Sequence, residues 1–465
     1  MKTNSDEMHN QEMLLKKIRQ SSEVFDKLAN SYEVWVPESG WLAGRRNRDK
    51  NDSKRKNLTD WSILSFLLEI DNCHYPMADS YLQYGIDGVI RIAAETLETL
   101  KNNLQSELQD QTQLDIAYLE SLLHVWKRFR QFVADHMVLA LECAKQETSD
   151  TKKKRYEKIA KICQNLTINK PNTFCEALQL FWFTYLFRSP FGAGCIGRLD
   201  QLLYPFYKHD CEMGIWDQQE AEKMLEEMFA RMNEINTGDT LRNLMLSGQD
   251  AKGNDQTNEI TYLILVAYEN TGGSEPHLNV RFHEKTPKKL RDNCINMLSS
   301  GSGQPTIYFD EAVLPAMEKA GICHEDACQY ANDGCTETVI AGKSAIVFWQ
   351  YEMVKTVELT LFGGNENPCV KPVSMKKNSI HGADFVPKTN LLIGIESKKP
   401  QELTTFSEFL SAFFEQMDHQ LDHYFLMIKQ KMEEDQTVSV TSPFTAGTFE
   451  KCLRTGKDPL RGGGF

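Results

Sequence analysis

The order of apolar and polar positions divides the chain into a helical first part and a later stretch where short strands and helices alternate. Thr173 and Glu176, three residues apart, read as a capping box. They precede a helix that is apolar on nearly every side from Leu178 to Phe187, the pattern of a buried helix. Asp217 and Glu220 open another, in which Ala221, Met224, Leu225, Met228, Phe229 and Met232 recur at helical spacing. That methionine stripe reads as packing and not as a ligand surface. From residue 277 the period changes. His277 to Phe282 reads as a strand, Pro287 opens a helix reaching about Leu298, and Thr306 to Phe309 is a second strand, after which Asp310 can cap the next helix. Alternation of this kind implies parallel strands with crossover helices. A short helix near Glu325 to Tyr330 leads to a loop at Gly334, where glycine allows a tight turn or close backbone approach. A polar loop, Gly363 to Lys388, and a long amphipathic helix, about Thr405 to Met432, follow. Residues 1–57 form a charged head, expected to be partly flexible, in which Trp35, Pro37 and Trp41 can pack against the body, residues 58–465.

Composition narrows the setting without supplying the chemistry. A chain of 465 residues, 41% hydrophobic and 10% aromatic, can bury a large core, and its length allows up to three domains or one large barrel. One barrel-like domain is the expectation. The formal charge of −13 argues against a nucleic-acid backbone or an anionic membrane surface as the main partner. Basic runs at Arg45 to Lys56 and Lys152 to Arg155 read as solvated surface. The 12 cysteines are irregularly spaced and the N-terminus lacks the apolar core of a signal peptide, so a reducing cytoplasm is expected instead of a disulfide framework. Leu178 to Phe187 is too short to span a bilayer. Asn57-Leu58-Thr59 and Asn165-Leu166-Thr167 match the glycosylation pattern, which carries no information without secretion. Cys323, His324 and Cys328, and the run His209, Asp210, Cys211, lack a second ligand pair at zinc-site spacing, and no metal is expected. Cys175 and Cys294 read as small buried hydrophobes.

Residues 331 to 337 read Ala-Asn-Asp-Gly-Cys-Thr-Glu. The Cys335 thiol and the Glu337 carboxylate, two residues apart, can point into one pocket if the loop is extended there, although such a pair is common by chance. Upstream lie Gly197-Arg198-Leu199-Asp200-Gln201-Leu202-Leu203-Tyr204-Pro205-Phe206-Tyr207 and Thr173-Phe174-Cys175-Glu176-Ala177-Leu178-Gln179-Leu180-Phe181-Trp182-Phe183. With the Gly-Cys-x-Glu loop these resemble the glycyl radical enzymes, the pyruvate formate-lyase-like superfamily, whose members share TF-EALQ-WF, GRLDQYLYPYY-D and GCVE. Four more stretches match in order: Pro276 to Phe282, Gly301 to Asp310, Glu325 to Tyr330 and Ser442 to Gly464. The likeness runs from about Cys73 to the last residue, and collinear matches of this number are more specific than any one.

The resemblance implies an α/β architecture: a ten-stranded barrel surrounded by helices, with the cysteine loop inside it and here incomplete. It implies that Cys335 is a thiyl radical site and that Glu337 takes a proton from a substrate hydroxyl while the neighbouring bond breaks. Pro276, His277, Arg281, Gln304 and Phe309 are expected near the substrate, because their strands should lead toward it. The substrate class implied is a small hydroxylated or carboxylated metabolite, transformed by a lyase or dehydratase. Two departures narrow it. Cys335 is flanked by Gly334 and Thr336, where pyruvate formate-lyase itself has adjacent cysteines, and Gly192-Ala193-Gly194-Cys195-Ile196 replaces the His-Ser pair of diol dehydratases.

Family members carry an Arg-Val-x-Gly-aromatic radical loop well downstream. Arg461-Gly462-Gly463-Gly464-Phe465 fits that form only superficially, since Ser442 to Lys457 matches a segment lying before the end of the barrel. The expectation is therefore that the chain binds no cofactor itself and receives a glycyl radical from a separate subunit, installed by a radical S-adenosylmethionine activating enzyme. A homo-oligomer is also allowed. An inactive remnant of an interrupted gene and a non-catalytic binding protein on the same scaffold stay open beside it.

Overall fold

The computed structural model describes residues 4–46, 79–102, 109–188, 194–215, 217–234, 242–272, 275–333, 337–344, 353–365, 394–438 and 440–462. They fall into two compact units, one of residues 1–346 with 439–465 and one of residues 347–438.

The larger unit begins with helices α1 (Asn4–Ser31), α2 (Ser80–Asn102), α3 (Gln109–Gln146), α4 (Asp150–Ile168) and α5 (Phe174–Arg188), with the short strands β1 (Tyr32–Glu33) and β2 (Arg45–Arg46) paired antiparallel after α1. At the start of α5 the capping box forms as expected: Glu176 N donates to Thr173 Oγ1 at 3.3 Å, and the Glu176 carboxylate accepts from the Asn172 and Thr173 amides. Every residue of α5 except Glu176 is buried, because α2, α4 and two later helices enclose it. Near its end the Phe187 ring lies 4.8–5.7 Å from those of Tyr32, Phe132, Phe25, Phe129 and Phe444.

The charged head joins this core. Leu14, Ile18, Val24, Phe25 and Leu28 of α1 are buried in it, Trp35 stacks under Arg45 and Arg231, and Trp41 N donates to the Glu227 carboxylate at 2.6 Å. The boundary expected near residue 57 lies outside the described residues.

Next come β3 (Gly194–Gly197), α6 (Leu199–Met213), α7 (Gln218–Glu234), β4 (Arg242–Ser247), α8 (Glu259–Thr271), β5 (His277–Phe282), α9 (Lys288–Ser299), β6 (Thr306–Phe309), α10 (Asp310–Lys319) and α11 (His324–Ala327). The two strands predicted between residues 277 and 309 are present with the expected bounds, and Asp217 and Glu220 cap α7 reciprocally. Strands β3 to β6 form one parallel sheet in chain order. Among the described residues these four parallel strands and two antiparallel pairs are the whole of the strand structure.

Register sorts the sheet into two faces, since paired residues share a face and neighbours alternate. Leu244, Leu246, Leu278 and Val280 join the helical core. Cys195, Asn243, Met245, Ser247, His277, Asn279, Arg281, Thr306 and Tyr308 share the inner face. An antiparallel hairpin, β7 (Tyr330–Asp333) with β8 (Glu337–Ile340), packs there against β3 and β4. Its Tyr330, Ala331, Val339 and Ile340 build a second small core with Cys195 and Met245.

One expectation is corrected. Asp310 does not cap the helix after β6: it is the first residue of α10, and its carboxylate is drawn to a buried arginine instead.

In the smaller unit, α12 (Met353–Leu361) packs on α13 (Phe406–Val438), the helix foreseen from about residue 405. Thr356 Oγ1 donates to Gln420 Oε1 at 3.1 Å. Most of the polar loop between residues 363 and 388 lies outside the described residues. Two short helices, α14 (Pro443–Ala446) and α15 (Glu450–Thr455), return to the larger unit. Among the described residues no helix is long and apolar enough to cross a membrane.

Phe187→Ala would open a cavity among five rings, and a stability loss of about 3–5 kcal/mol is expected in equilibrium urea unfolding; a loss under about 1 kcal/mol would contradict the packing described. A second prediction concerns acid. His136 of α3 is fully buried with Nδ1 2.8 Å from the Phe132 carbonyl, and burial pushes its imidazole from 6.5 down to about 4. Above pH 6.5 the ring is neutral folded or unfolded. As pH falls below that, the unfolded chain takes a proton that the fold refuses, so stability should drop by about 3 kcal/mol toward pH 4 from this group. His136→Gln should flatten that limb of the stability–pH curve; an unchanged limb would assign it to other groups.

Candidate functional site

Where β3, β4, β5 and β6 end, their backbone groups run out of ladder partners, and buried polar backbone must be satisfied some other way. Charged side chains do it here. Asp200, in the first turn of α6, accepts from Ser247 N, Thr261 Oγ1 and Gln201 N, each at 2.8 Å. Arg198 donates to Ser247 O at 2.9 Å, Cys328 O at 3.3 Å and Gln329 Oε1 at 3.1 Å. Ser247 has φ 61°, a left-handed conformation uncommon outside glycine. It persists because Asp200 and Arg198 hold its N–H and its carbonyl.

Arg281 and Asp310 form the centre. Nε and one terminal nitrogen of Arg281 meet the two Asp310 oxygens at 2.8 and 2.9 Å, a bidentate pair with both side chains fully buried. The other terminal nitrogen donates to the carbonyls of Cys328, at 2.9 Å, and Tyr330, at 3.3 Å. Asp310 also accepts from Tyr330 Oη at 2.9 Å and Gln249 N at 3.0 Å, and the guanidinium lies 3.9 Å from the centre of the Tyr330 ring. Gly248, at φ 98°, makes room: a Cβ there would strike the Arg281 guanidinium.

Burial sets the electrostatics. It pushes the Asp200 carboxyl up, against the pull of Arg198. It also lowers Arg198 to about 10, with Arg281 adding repulsion. The Cys195 thiol on β3 is pushed well up, by burial first and by Asp333 second.

The cluster grips residues 328–330 and so fixes where the β7–β8 hairpin begins. Asp333 and Glu337 are directly opposed partners at its far end, on the face shared with Ala331 and Val339; Asp333 is buried and Glu337 half-buried. Residues 334–336, and with them Cys335, lie outside the described residues, as does Gly464. His277 is on the inner face with Nε2 2.9 Å from Thr306 Oγ1, and burial lowers its imidazole. Arg281 is on the same face one layer above Asn279, its donors engaged as above. Pro276 is buried just before β5, and Gln304 Oε1 accepts from Leu278 N at 2.6 Å near the same end of the sheet. Phe309 is not brought to this group. It lies on the opposite face, 56% exposed, with its ring against Phe282.

The motifs contain Arg198, Asp200, Asp310 and Tyr330, but the sequence pointed to none of them as part of a buried cluster and offered Asp310 only as a helix cap. A signal existed: each is a charged or aromatic polar residue beside a strand end in an otherwise apolar motif. Near α11, His324 lies between Glu318, at 2.5 Å, and the Cys328 sulfur, at 3.6 Å. Among the described residues no group of three or more His, Cys, Asp and Glu is arranged to hold a metal ion.

Comparison with known proteins matches residues 72–465 to the family model "Pyruvate formate lyase-like". The chain is 31% identical over 348 residues to trans-4-hydroxy-L-proline dehydratase of Clostridioides difficile, covering 70% of this chain and 41% of that protein. It is 26% identical over 398 residues to (2S)-3-sulfopropanediol dehydratase of Klebsiella oxytoca, covering 82% and 45%. The fold is similar to the glycerol-bound B12-independent glycerol dehydratase of Clostridium butyricum, with a TM-score of 0.76 at 20% identity over 98% of this chain and 65% of that one. The chain thus spans less than half the length of the two curated relatives.

Arg281→Met would strand Asp310 as a buried carboxylate, and a stability loss of about 3–5 kcal/mol is expected. Arg281→Met combined with Asp310→Leu should lose markedly less, because no charge is left unpaired. Urea unfolding of both variants checks this; an equal loss in the two would show that the residues are not coupled.

Proposed function

Because the chain belongs to the pyruvate formate lyase-like family of glycyl radical enzymes, we propose that it is the thiol-bearing part of a radical lyase or dehydratase acting on a small hydroxylated or carboxylated metabolite. The observation that carries this reading is convergence. The Gly197-to-Gln201, Pro276-to-Phe282, Gly301-to-Asp310 and Glu325-to-Tyr330 motifs meet in one buried cluster, and that cluster anchors the hairpin whose connecting residues include Cys335.

In this proposal a glycyl radical, installed by a radical S-adenosylmethionine activating enzyme and supplied in trans, provides the one-electron oxidising equivalent. Cys335 gives up its thiol hydrogen atom, and the thiyl sulfur takes hydrogen from a substrate carbon. Glu337 accepts a hydroxyl proton as the neighbouring bond breaks and returns it to the leaving group, which departs as water in a dehydration. Cys335 then returns its hydrogen to the product radical. A one-electron step of this kind does not need a thiolate, and it gains from exclusion of water. Tyr330 to Asp333, the strand leading to the thiol, is wholly buried, which supports that requirement. His277 is proposed to line the substrate space; Arg281, Pro276 and Gln304 hold its walls.

The test is anaerobic. The chain is treated with activating enzyme and S-adenosylmethionine, alone and with a chain carrying an Arg-Val-x-Gly-aromatic loop, and read by electron paramagnetic resonance and by turnover of a panel of hydroxylated metabolites. A glycyl doublet and turnover are expected only with the second chain. Cys335→Ala should abolish turnover. Glu337→Gln should keep the doublet and lower turnover by about a hundredfold or more. A doublet on the isolated chain that disappears in Gly464→Ala would replace supply in trans with a radical on this polypeptide. Full activity in Cys335→Ala would overturn the thiyl mechanism, and absence of turnover with every partner would favour a non-catalytic binding protein.

A further inference from the structure

The inner face of the sheet carries a second kind of polar group, neutral and incompletely used. Asn279 of β5 is 1% exposed, and its amide nitrogen faces three acceptors: Asn243 Oδ1 at 2.8 Å, His277 O at 3.3 Å and Leu244 O at 3.4 Å. Those carbonyls fix the orientation of the amide and leave Oδ1 as an acceptor with no donor among the described residues. Asn332 of β7 is fully buried, and neither its Oδ1 nor its Nδ2 has a partner among the described residues. An unmet buried amide is expensive, costing about 1–3 kcal/mol per group.

Register relates the two amides to one contact. Asn332 shares a hairpin face with Tyr330, whose ring lies against Arg281, and Asn279 shares a strand face with Arg281. Each is two residues, about 7 Å, from that contact. The hairpin continues along the inner face, because Ala331, Val339 and Ile340 pack with Met245, the Cα partner of Asn279. Beside Asn332 on the same face, its cross-strand partner Thr338 is exposed. The cationic groups around the two amides are paired or neutral, and the buried Asp333 carboxylate lies on the opposite hairpin face. Arg281 is taken up by Asp310 and two carbonyls, and burial lowers the His277 imidazole.

We infer that Asn332 and Asn279 form a recognition subsite for the uncharged, hydroxyl-bearing end of the substrate. The unmet atoms are one donor and two acceptors, which suits a hydroxyl, able to accept from Asn332 Nδ2 while donating to either Oδ1. A carboxylate can only accept, and would face both oxygens unfavourably. Asn332 precedes Cys335 by three residues, so at most about 11 Å of extended backbone separates the two. This inference rests on the proposed function for its substrate class but not on radical chemistry.

Saturation-transfer NMR on the full chain tests it with three pairs: glycerol and propane-1,3-diol, propane-1,2-diol and propan-1-ol, trans-4-hydroxy-L-proline and L-proline. At least one hydroxylated member should bind about tenfold or more tightly than its deoxy partner in the wild type. Asn332→Leu should lose that preference while its thermal midpoint stays level or rises, since a buried unmet amide is removed. Asn332→Ser, which keeps one hydrogen-bonding group, should retain part of it and serves if the leucine variant does not fold. Binding that is indifferent to the hydroxyl in the wild type, or a preference undiminished in both variants, would overturn the inference. Because no radical is generated, failure of the thiyl mechanism would leave a positive result standing.

Discussion

The bidentate contact between Arg281 and Asp310 is the constraint from which the rest of the site follows. Neither side chain is exposed, and removing such charges from water costs several kcal/mol for each ion. That cost is offset only if the geometry is close to ideal and the remaining donors and acceptors are filled. Both conditions are met, and the filling groups come from elsewhere in the chain: Cys328 and Tyr330 carbonyls for the arginine, Gln249 N and Tyr330 Oη for the aspartate. The pair therefore cannot form unless the ends of β4, β5 and β6 and the start of the hairpin are all in place. It behaves as an all-or-none lock, and β7, the strand that leads toward the Gly-Cys-x-Glu sequence, is one of the parts locked.

The lock also explains why charge is concentrated at that end of the sheet. A parallel ladder leaves unpaired N–H and C=O groups where its strands stop, and a buried site cannot leave them to water. Arg198 and Asp200 take both backbone groups of Ser247, and their neighbours Arg281 and Asp310 take the Gln249 N–H and the Cys328 and Tyr330 carbonyls. The charged positions inside the apolar motifs are thus the complement of the backbone groups that the fold leaves unmet.

Local signals in the sequence reached the elements and stopped short of their meeting. Strand bounds at residues 277–282 and 306–309 and the caps at Thr173 and Asp217 follow from nearby residues alone. Asp310 shows the limit. Its position after a strand suits a cap, and only the arrival of Arg281 from another strand diverts the carboxylate. Phe309 shows a second limit, since alternation fixes which residues share a face but not which face turns inward, and a one-residue change of parity moves a side chain across the sheet. The head was hidden by averaging. Its polar composition masks a stripe, Leu14, Ile18, Phe25 and Leu28, at the spacing of one helix face.

A parallel strand covered on both sides usually reads as a nearly continuous apolar run. His277-Leu278-Asn279-Val280-Arg281-Phe282 alternates instead, which means that its inner side does not meet an apolar layer along its whole length. The hairpin supplies apolar cover only around Met245 and Cys195. Above that level the polar groups are ionic and paired with one another or with backbone; below it they are neutral amides, an imidazole and a hydroxyl, partly satisfied by one another. Ionic groups that are completely paired give rigidity, whereas neutral groups with unfilled valences give selectivity, because a partner lacking the right donor or acceptor leaves them buried and unmet. The division of one strand face into an upper layer of paired charges and a lower layer of partly unfilled neutral groups follows from these two costs. It places the tightest tethers at the root of the hairpin and the unfilled valences further along it.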